Sequence, residues 1–115
     1  MGDLSTHFSR REFDCPDGTR AAPDKGLIAA LERLRAICGH RPLYIVSGYR
    51  TITYNARVGG APRSQHLYNR AADIPTGYAT VAQAKAAGFT GIGNAGRWAV
   101  HVDVRPGGPA RWSYS

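Results

Sequence analysis

Acidic side chains are scarce in this sequence. Eight aspartates and glutamates stand against fifteen lysines and arginines, and the formal charge is +7. Chemistry that needs a carboxylate therefore has few candidates: Asp3, Glu12, Asp14, Asp17, Asp24, Glu32, Asp73 and Asp103. The excess of positive charge favours an anionic partner. Yet no run of basic residues exceeds two, whereas a nucleic-acid reader concentrates its charge in a patch with interleaved aromatics or a recognisable motif. No nucleic-acid partner is expected. An anionic cell-wall polymer, or a basic face kept for solubility, fits the charge as well.

Long apolar runs are missing too. None approaches the roughly 18 residues that a membrane-spanning helix needs, so no membrane span is expected. Met1–His7 lacks the basic start and apolar stretch of a signal peptide; export would need a leader already lost, a larger parent protein or lysis. Cysteine is limited to Cys15 and Cys38, which excludes an all-cysteine metal site and shows no C-x-x-C spacing. The pair is either a disulfide tying the N-terminal segment to the first long helix or two free thiols, one of them buried.

What is present is enough for one domain, expected to span 1–115. Ser9-Arg-Arg-Glu12 is a capping box that starts a short helix at Arg10, with Phe8 and Phe13 on its apolar side. Cys15-Pro-Asp-Gly18 reads as a turn. Pro23 and Asp24 open the strongest helix, over 24–38, where Leu27, Ile28, Leu31, Leu34 and the Ile37–Cys38 pair recur at helical spacing and Gly39 ends it. Leu43–Val46 reads as a short strand, followed over 51–63 by a weak helical turn and a Gly/Pro-rich loop. Thr80-Val-Ala-Gln83 is a second capping box, opening an Ala-rich helix that stops at Gly88. Phe89–Ile92 reads as a strand, Gly93-Asn-Ala-Gly96 as a hairpin turn, and Arg111–Tyr114 as a last edge strand. Strands and helices mix without a β-α-β rhythm. The expected class is α+β, a small, mainly antiparallel sheet with helices packed against it.

Two stretches carry potential chemistry. In Ser64-Gln-His66-Leu-Tyr-Asn-Arg-Ala-Ala-Asp73-Ile74, an imidazole and a carboxylate stand seven residues apart across a turn. Asp73 lies among small apolar residues, where a carboxylate needs a metal, an arginine or backbone donors. In Trp98-Ala-Val-His101-Val-Asp103-Val-Arg105, strand alternation sends Val100, Val102 and Val104 to the core and Ala99, His101, Asp103 and Arg105 to the other face. Histidine and aspartate are both zinc ligands, and three such groups with a fourth position for water make a catalytic rather than a structural site. A Ser64–His66–Asp nucleophile is the rival chemistry, but no G-x-S-x-G supports it. Arg50 has the fork that pairs with a carboxylate; by the residues alone it reads as a surface arginine after a strand.

In order and spacing, Ser47-Gly-Tyr-Arg50-Thr51, Ser64-x-His66-x6-Asp73, Gly91-Ile-Gly93 and Val100-His101-Val-Asp103-Val-Arg105 resemble the zinc D-alanyl-D-alanine carboxypeptidase family. That superfamily includes L-alanyl-D-glutamate endopeptidases of phage lysins and shares its fold with the hedgehog signalling domain. The resemblance runs from Phe8 to Trp112. It implies one Zn2+ per chain on His66, Asp73 and His101, and substrate binding by Arg50, Ser64 and Tyr49, with Arg50 also counted as catalytic. The implied reaction is hydrolysis of a peptidoglycan stem peptide by a metal-activated water, in a monomer acting outside the cell or at the cell wall, as a phage lysin or a piece of a secreted protein. Two positions depart from the pattern. Asn69 replaces a frequent glycine, and Trp98 stands where many relatives place the general-base carboxylate. Asp103 is then the remaining acid beside the site, as general base, as a partner orienting a ligand histidine, or simply paired with an arginine. A non-catalytic, metal-containing wall-binding module on the same fold is the alternative reading.

Overall fold

The computed structural model describes residues 4–61 and 64–114. Met1–Asp3, Pro62–Arg63 and Ser115 lie outside them, and with them the end of the loop expected over 51–63.

Local signals in the sequence set most element boundaries. Ser9 precedes a single 3₁₀ turn, Arg10–Phe13, and its backbone N–H donates to Glu12 Oε2 at 2.6 Å. The Phe8 and Phe13 rings meet edge to face at 6.2 Å, both fully buried. Helix α1 (Lys25–Ile37) starts on Asp24, whose side chain accepts from the backbone N–H groups of Gly26 and Leu27, and ends at Cys38 before Gly39 with φ +79°. Helix α2 (Ile52–Arg57) is capped by Thr51. A second 3₁₀ turn, Gln65–Tyr68, is capped by Ser64 and left through Asn69, whose φ of 53° is the left-handed geometry that asparagine tolerates. Helix α3 (Val81–Ala86) carries the Thr80–Gln83 capping box with both of its hydrogen bonds formed.

Four strands, β1 (Ala71–Asp73), β2 (Gly91–Ala95), β3 (Trp98–Asp103) and β4 (Ala110–Ser113), form one sheet in the order β1-β3-β2-β4. The pairings of β3 with β1 and β2 are antiparallel, and β4 joins the edge of β2 in parallel. The fold is thus α+β with a mainly antiparallel sheet. Leu27, Leu31 and Leu34 of α1 join Ile92 and Val102 of the sheet in one buried cluster, the apolar stripe of the helix facing the sheet. Among the described residues, no helix is long and apolar enough to cross a membrane.

Four expectations are corrected. Leu43–Val46 is extended but pairs only through an isolated Ser47–Asp73 bridge; Leu43 and Ile45 are buried while Tyr44 and Val46 are exposed. The hairpin turn is Gly96–Arg97, because β2 runs on to Ala95 and pairs it with Trp98. A register shift in β2–β3 pairs Gly93 with His101 but Asn94 with Ala99, leaving Val100 as an extra residue in β3. Such a bulge breaks strict alternation, so Ala99 joins Val102 in the core while Val100 turns to the same cavity as His101. Finally, Ile37 at the end of the α1 stripe is 41% exposed and outside the core.

Candidate metal centre

Three elements bring the key side chains together. The 3₁₀ turn after Ser64 carries His66, β1 ends in Asp73, and β3 lies beside β1 with His101 directly opposite Asp73. Antiparallel register therefore turns a separation of 28 residues into a side-chain contact. His66 Nε2 lies 3.2 Å from Asp73 Oδ1 and His101 Nδ1 3.1 Å from the same oxygen. One donor atom from each residue lies within 4.8 Å of the others. In a tetrahedral zinc site, bonds of about 2.0–2.1 Å place ligand atoms about 3.3 Å apart, so the two short separations fit the ion.

The opposite nitrogens of both rings are already engaged. His66 Nδ1–H donates to the Gly48 carbonyl at 2.6 Å, and His101 Nε2–H donates to Asp103 Oδ2 at 2.8 Å. Both acceptors lack a proton to give, so each ring keeps its N–H on the outside and turns the other nitrogen inward. Gly48 itself packs against the backbone of Phe13, whose Cα would lie 2.7 Å from a β-carbon at 48.

Charge in the cluster is tightly balanced. Burial pushes the Asp73 carboxyl up, but hydrogen bonds from His101 and His66 outweigh it and hold the group below the usual carboxylate range. For His101, burial works downward and the Asp103 and Asp73 carboxylates work upward, leaving its imidazole more basic than usual. The inward nitrogens of both rings face Asp73 Oδ1, the side on which a bound cation would sit.

An open cavity of about 790 Å³ leads to these residues. Its wall includes Arg50, Ser64, Val100, Arg105, Trp112 and Tyr114 beside His66, Asp73 and His101. Arg50 is not the surface side chain that its position after Val46 suggested. It is 17% exposed, reaches Asp73 Oδ2 at 3.4 Å and Asn55 Oδ1 at 3.3 Å, and its buried Nε has no partner. Ser64 lines the cavity while its Oγ accepts from the His66 backbone N–H. Tyr49, by contrast, is absent from the cavity wall, and its backbone N–H is tied to the Phe13 carbonyl.

Asp103 is fully buried and outside the cavity wall. Burial raises its carboxyl pKa, but Arg105 and His101 dominate and hold it well below the usual range. Oδ1 accepts from the Arg105 backbone N–H and Nε, and Oδ2 from Arg105 Nη2 and His101 Nε2. Trp98, where the resemblance leads us to expect a base, packs under the Arg97 guanidinium at 4.6 Å and is likewise outside the cavity wall.

Asn55 and Trp112 escape a reading of the sequence. Asn55 is 3% exposed and braces Arg50 while donating to the Ala61 carbonyl; an asparagine inside a short helix carries no signal for this. The Trp112 ring lies 5.0 Å from that of His101, a contact that depends on the parallel placement of β4.

Residues 6–103 match the family model described as Peptidase M15. The chain belongs to the peptidase M15 family. Over 66 residues it is 39% identical to the zinc D-Ala-D-Ala carboxypeptidase of Streptomyces albus G, a match covering 54% of this chain and 26% of that protein. The chain thus spans about a quarter of the length of the curated relative it matches. For an M15 peptidase, the His66–Asp73–His101 cluster fits one zinc ion in donor type, spacing and the orientation of both rings.

Proposed function

We propose that this chain is a zinc peptidase of the D-Ala-D-Ala carboxypeptidase type, hydrolysing peptidoglycan stem peptides as a single monomeric domain outside the cell or at the cell wall. The observation that carries this reading is the convergence of His66 Nε2, Asp73 Oδ1 and His101 Nδ1 at a cavity whose wall also includes Arg50. Zinc held there would supply Lewis acidity toward a peptide carbonyl and a water acidified to near neutrality. Arg50, on the cavity wall, binds a carboxylate of the stem peptide and presents the neighbouring peptide bond to the cluster. Ser64 keeps the His66 turn in place and offers its hydroxyl at the cavity wall. Asp103 acts through His101: with both oxygens occupied, it orients the ring instead of taking a proton from the substrate.

Metal content by mass spectrometry, for wild type and His66→Ala purified without added metal, is paired with D-alanine release from a stem pentapeptide. About one zinc per chain, lost in the variant together with release, supports the reading. A wild type that refuses added zinc removes it. A specific observation favours a second reading, a non-catalytic metal-containing wall-binding module: Asp73 is the lone carboxylate on the described cavity wall and Trp98 stands at the usual base position. Zinc-loaded wild type that binds peptidoglycan but releases neither D-alanine nor L-Ala-D-Glu cleavage products would establish that module instead.

A further inference from the structure

Three side chains close a ring with His101. Its Nε2–H donates to Asp103 Oδ2; Asp103 is gripped by Arg105 at 2.6 Å and 2.9 Å; the Arg105 guanidinium lies 5.1 Å from the centre of the Trp112 ring; and Trp112 returns to His101 at 5.0 Å with the planes at 54°. The first two links hold the edge of the imidazole. Trp112 packs against the ring at a tilt, a contact that hydrogen bonding at the ring edge does not supply.

The backbone is shaped for this contact. Strand β4 pairs in parallel with β2, placing Trp112 opposite Gly93, and Gly93 in turn stands opposite His101. A β-carbon at 93 would lie 2.5 Å from Trp112 Nε1 and 2.7 Å from Tyr114. Glycine at 93 is therefore what lets the indole lie across the strand and reach His101. Arg105 and Trp112 both fall beyond the residues 6–103 that match the family model.

We propose that Trp112 is a positioning residue of the metal centre: its indole packs against the His101 ring and the guanidinium of Arg105, so that β4 completes the site. This rests on the zinc reading, but the contact itself exists without metal, and the test separates the two. The first measurement is zinc affinity, by competition with a chromophoric chelator, for wild type, Trp112→Ala, Trp112→Phe and, as a control on the outward face of β4, Ser113→Ala. Loss of outer partners of a metal-ligating histidine weakens affinity about 10- to 100-fold. Trp112→Ala should therefore raise the zinc Kd about tenfold without changing the stoichiometry, Trp112→Phe should recover most of it, and Ser113→Ala should match wild type. Equal Kd values for all four would overturn the proposal.

The second measurement needs no metal. By NMR on the metal-free wild type, the His101 Nε2 proton, enclosed by Asp103, should give a downfield resonance protected from exchange with water. Trp112→Phe should keep the resonance and Trp112→Ala should lose it to exchange. Persistence of the resonance in Trp112→Ala, with the other amide signals native, overturns the positioning role even if the protein proves to bind no zinc. Should Trp112→Ala fail to fold, the wild-type and Trp112→Phe spectra decide. An unprotected His101 proton in both sinks the proposal, and a protected one with ring-current shifts that change on Trp112→Phe sustains it.

Discussion

Gly91 and Asp103 face each other across the β2–β3 pair, and the carboxylate fills the space a side chain at 91 would need. A β-carbon there would lie 2.1 Å from Asp103 Oδ1. Arg105 and His101 hold both carboxylate oxygens, so Asp103 has nowhere to withdraw. Gly91→Ala should cost about 1–3 kcal/mol, the usual range for overpacking, and weaken zinc binding through His101. Urea unfolding and zinc competition on the same preparation check this. An alanine variant with native stability would show that the carboxylate moves freely.

Asn55 should matter to substrate more than to metal. Asn55→Ala removes the brace on Arg50 Nη1 and one of two donors to the Ala61 carbonyl, which keeps the Ser64 backbone N–H. With the proposed substrate, KM should rise several-fold while zinc stoichiometry and Kd stay as in wild type. Steady-state kinetics beside zinc titration make the comparison; a changed zinc Kd with an unchanged KM would contradict the assignment of Arg50 to substrate.

Stability should depend on pH through Glu32. Partial burial pushes its carboxyl up, but hydrogen bonds from the Ser5 hydroxyl and from the side chain and backbone of His7 prevail and lower its pKa. A carboxyl depressed in the folded state contributes stability that is present above its unfolded pKa, near 4.3, and is lost as pH falls through the folded value. The wild type should exceed Glu32→Gln by about 1 kcal/mol at pH 6, a modest figure because the His7 side is exposed. The gap should narrow as pH falls from 6 to 3. Urea midpoints at the two pH values measure it, and a constant gap would assign the contribution to packing.

Cys15 and Cys38 are both buried and both free, which resolves the alternatives left open by their spacing in favour of thiols. Burial pushes the Cys38 thiol pKa up, and the thiolate is the reactive form. A thiol reagent should modify two cysteines per chain in denaturant and neither rapidly in the native protein. Added reductant should leave Tm unchanged. A drop in Tm on reduction would indicate a disulfide.

Periodicity, caps and spacing in the sequence determined the first and last helices, both capping boxes and the α+β class, and family resemblance pointed to His66, Asp73 and His101 as donors. These are local properties: an Asp24 cap or a Thr80–Gln83 box forms from residues a few positions apart. The side on which β3 shows each residue was not legible, because the bulge at Val100 arises from pairing with β2 and leaves no mark in the alternation of valines. Tertiary structure likewise decided that Leu43–Val46 stays outside the sheet, that Arg50 is drawn inward by Asn55 and Asp73, and that β4 lies parallel to β2 with Trp112 on His101. Each of these joins segments distant in the chain, and their relative placement is set by sheet register and side-chain packing, which no window of sequence contains.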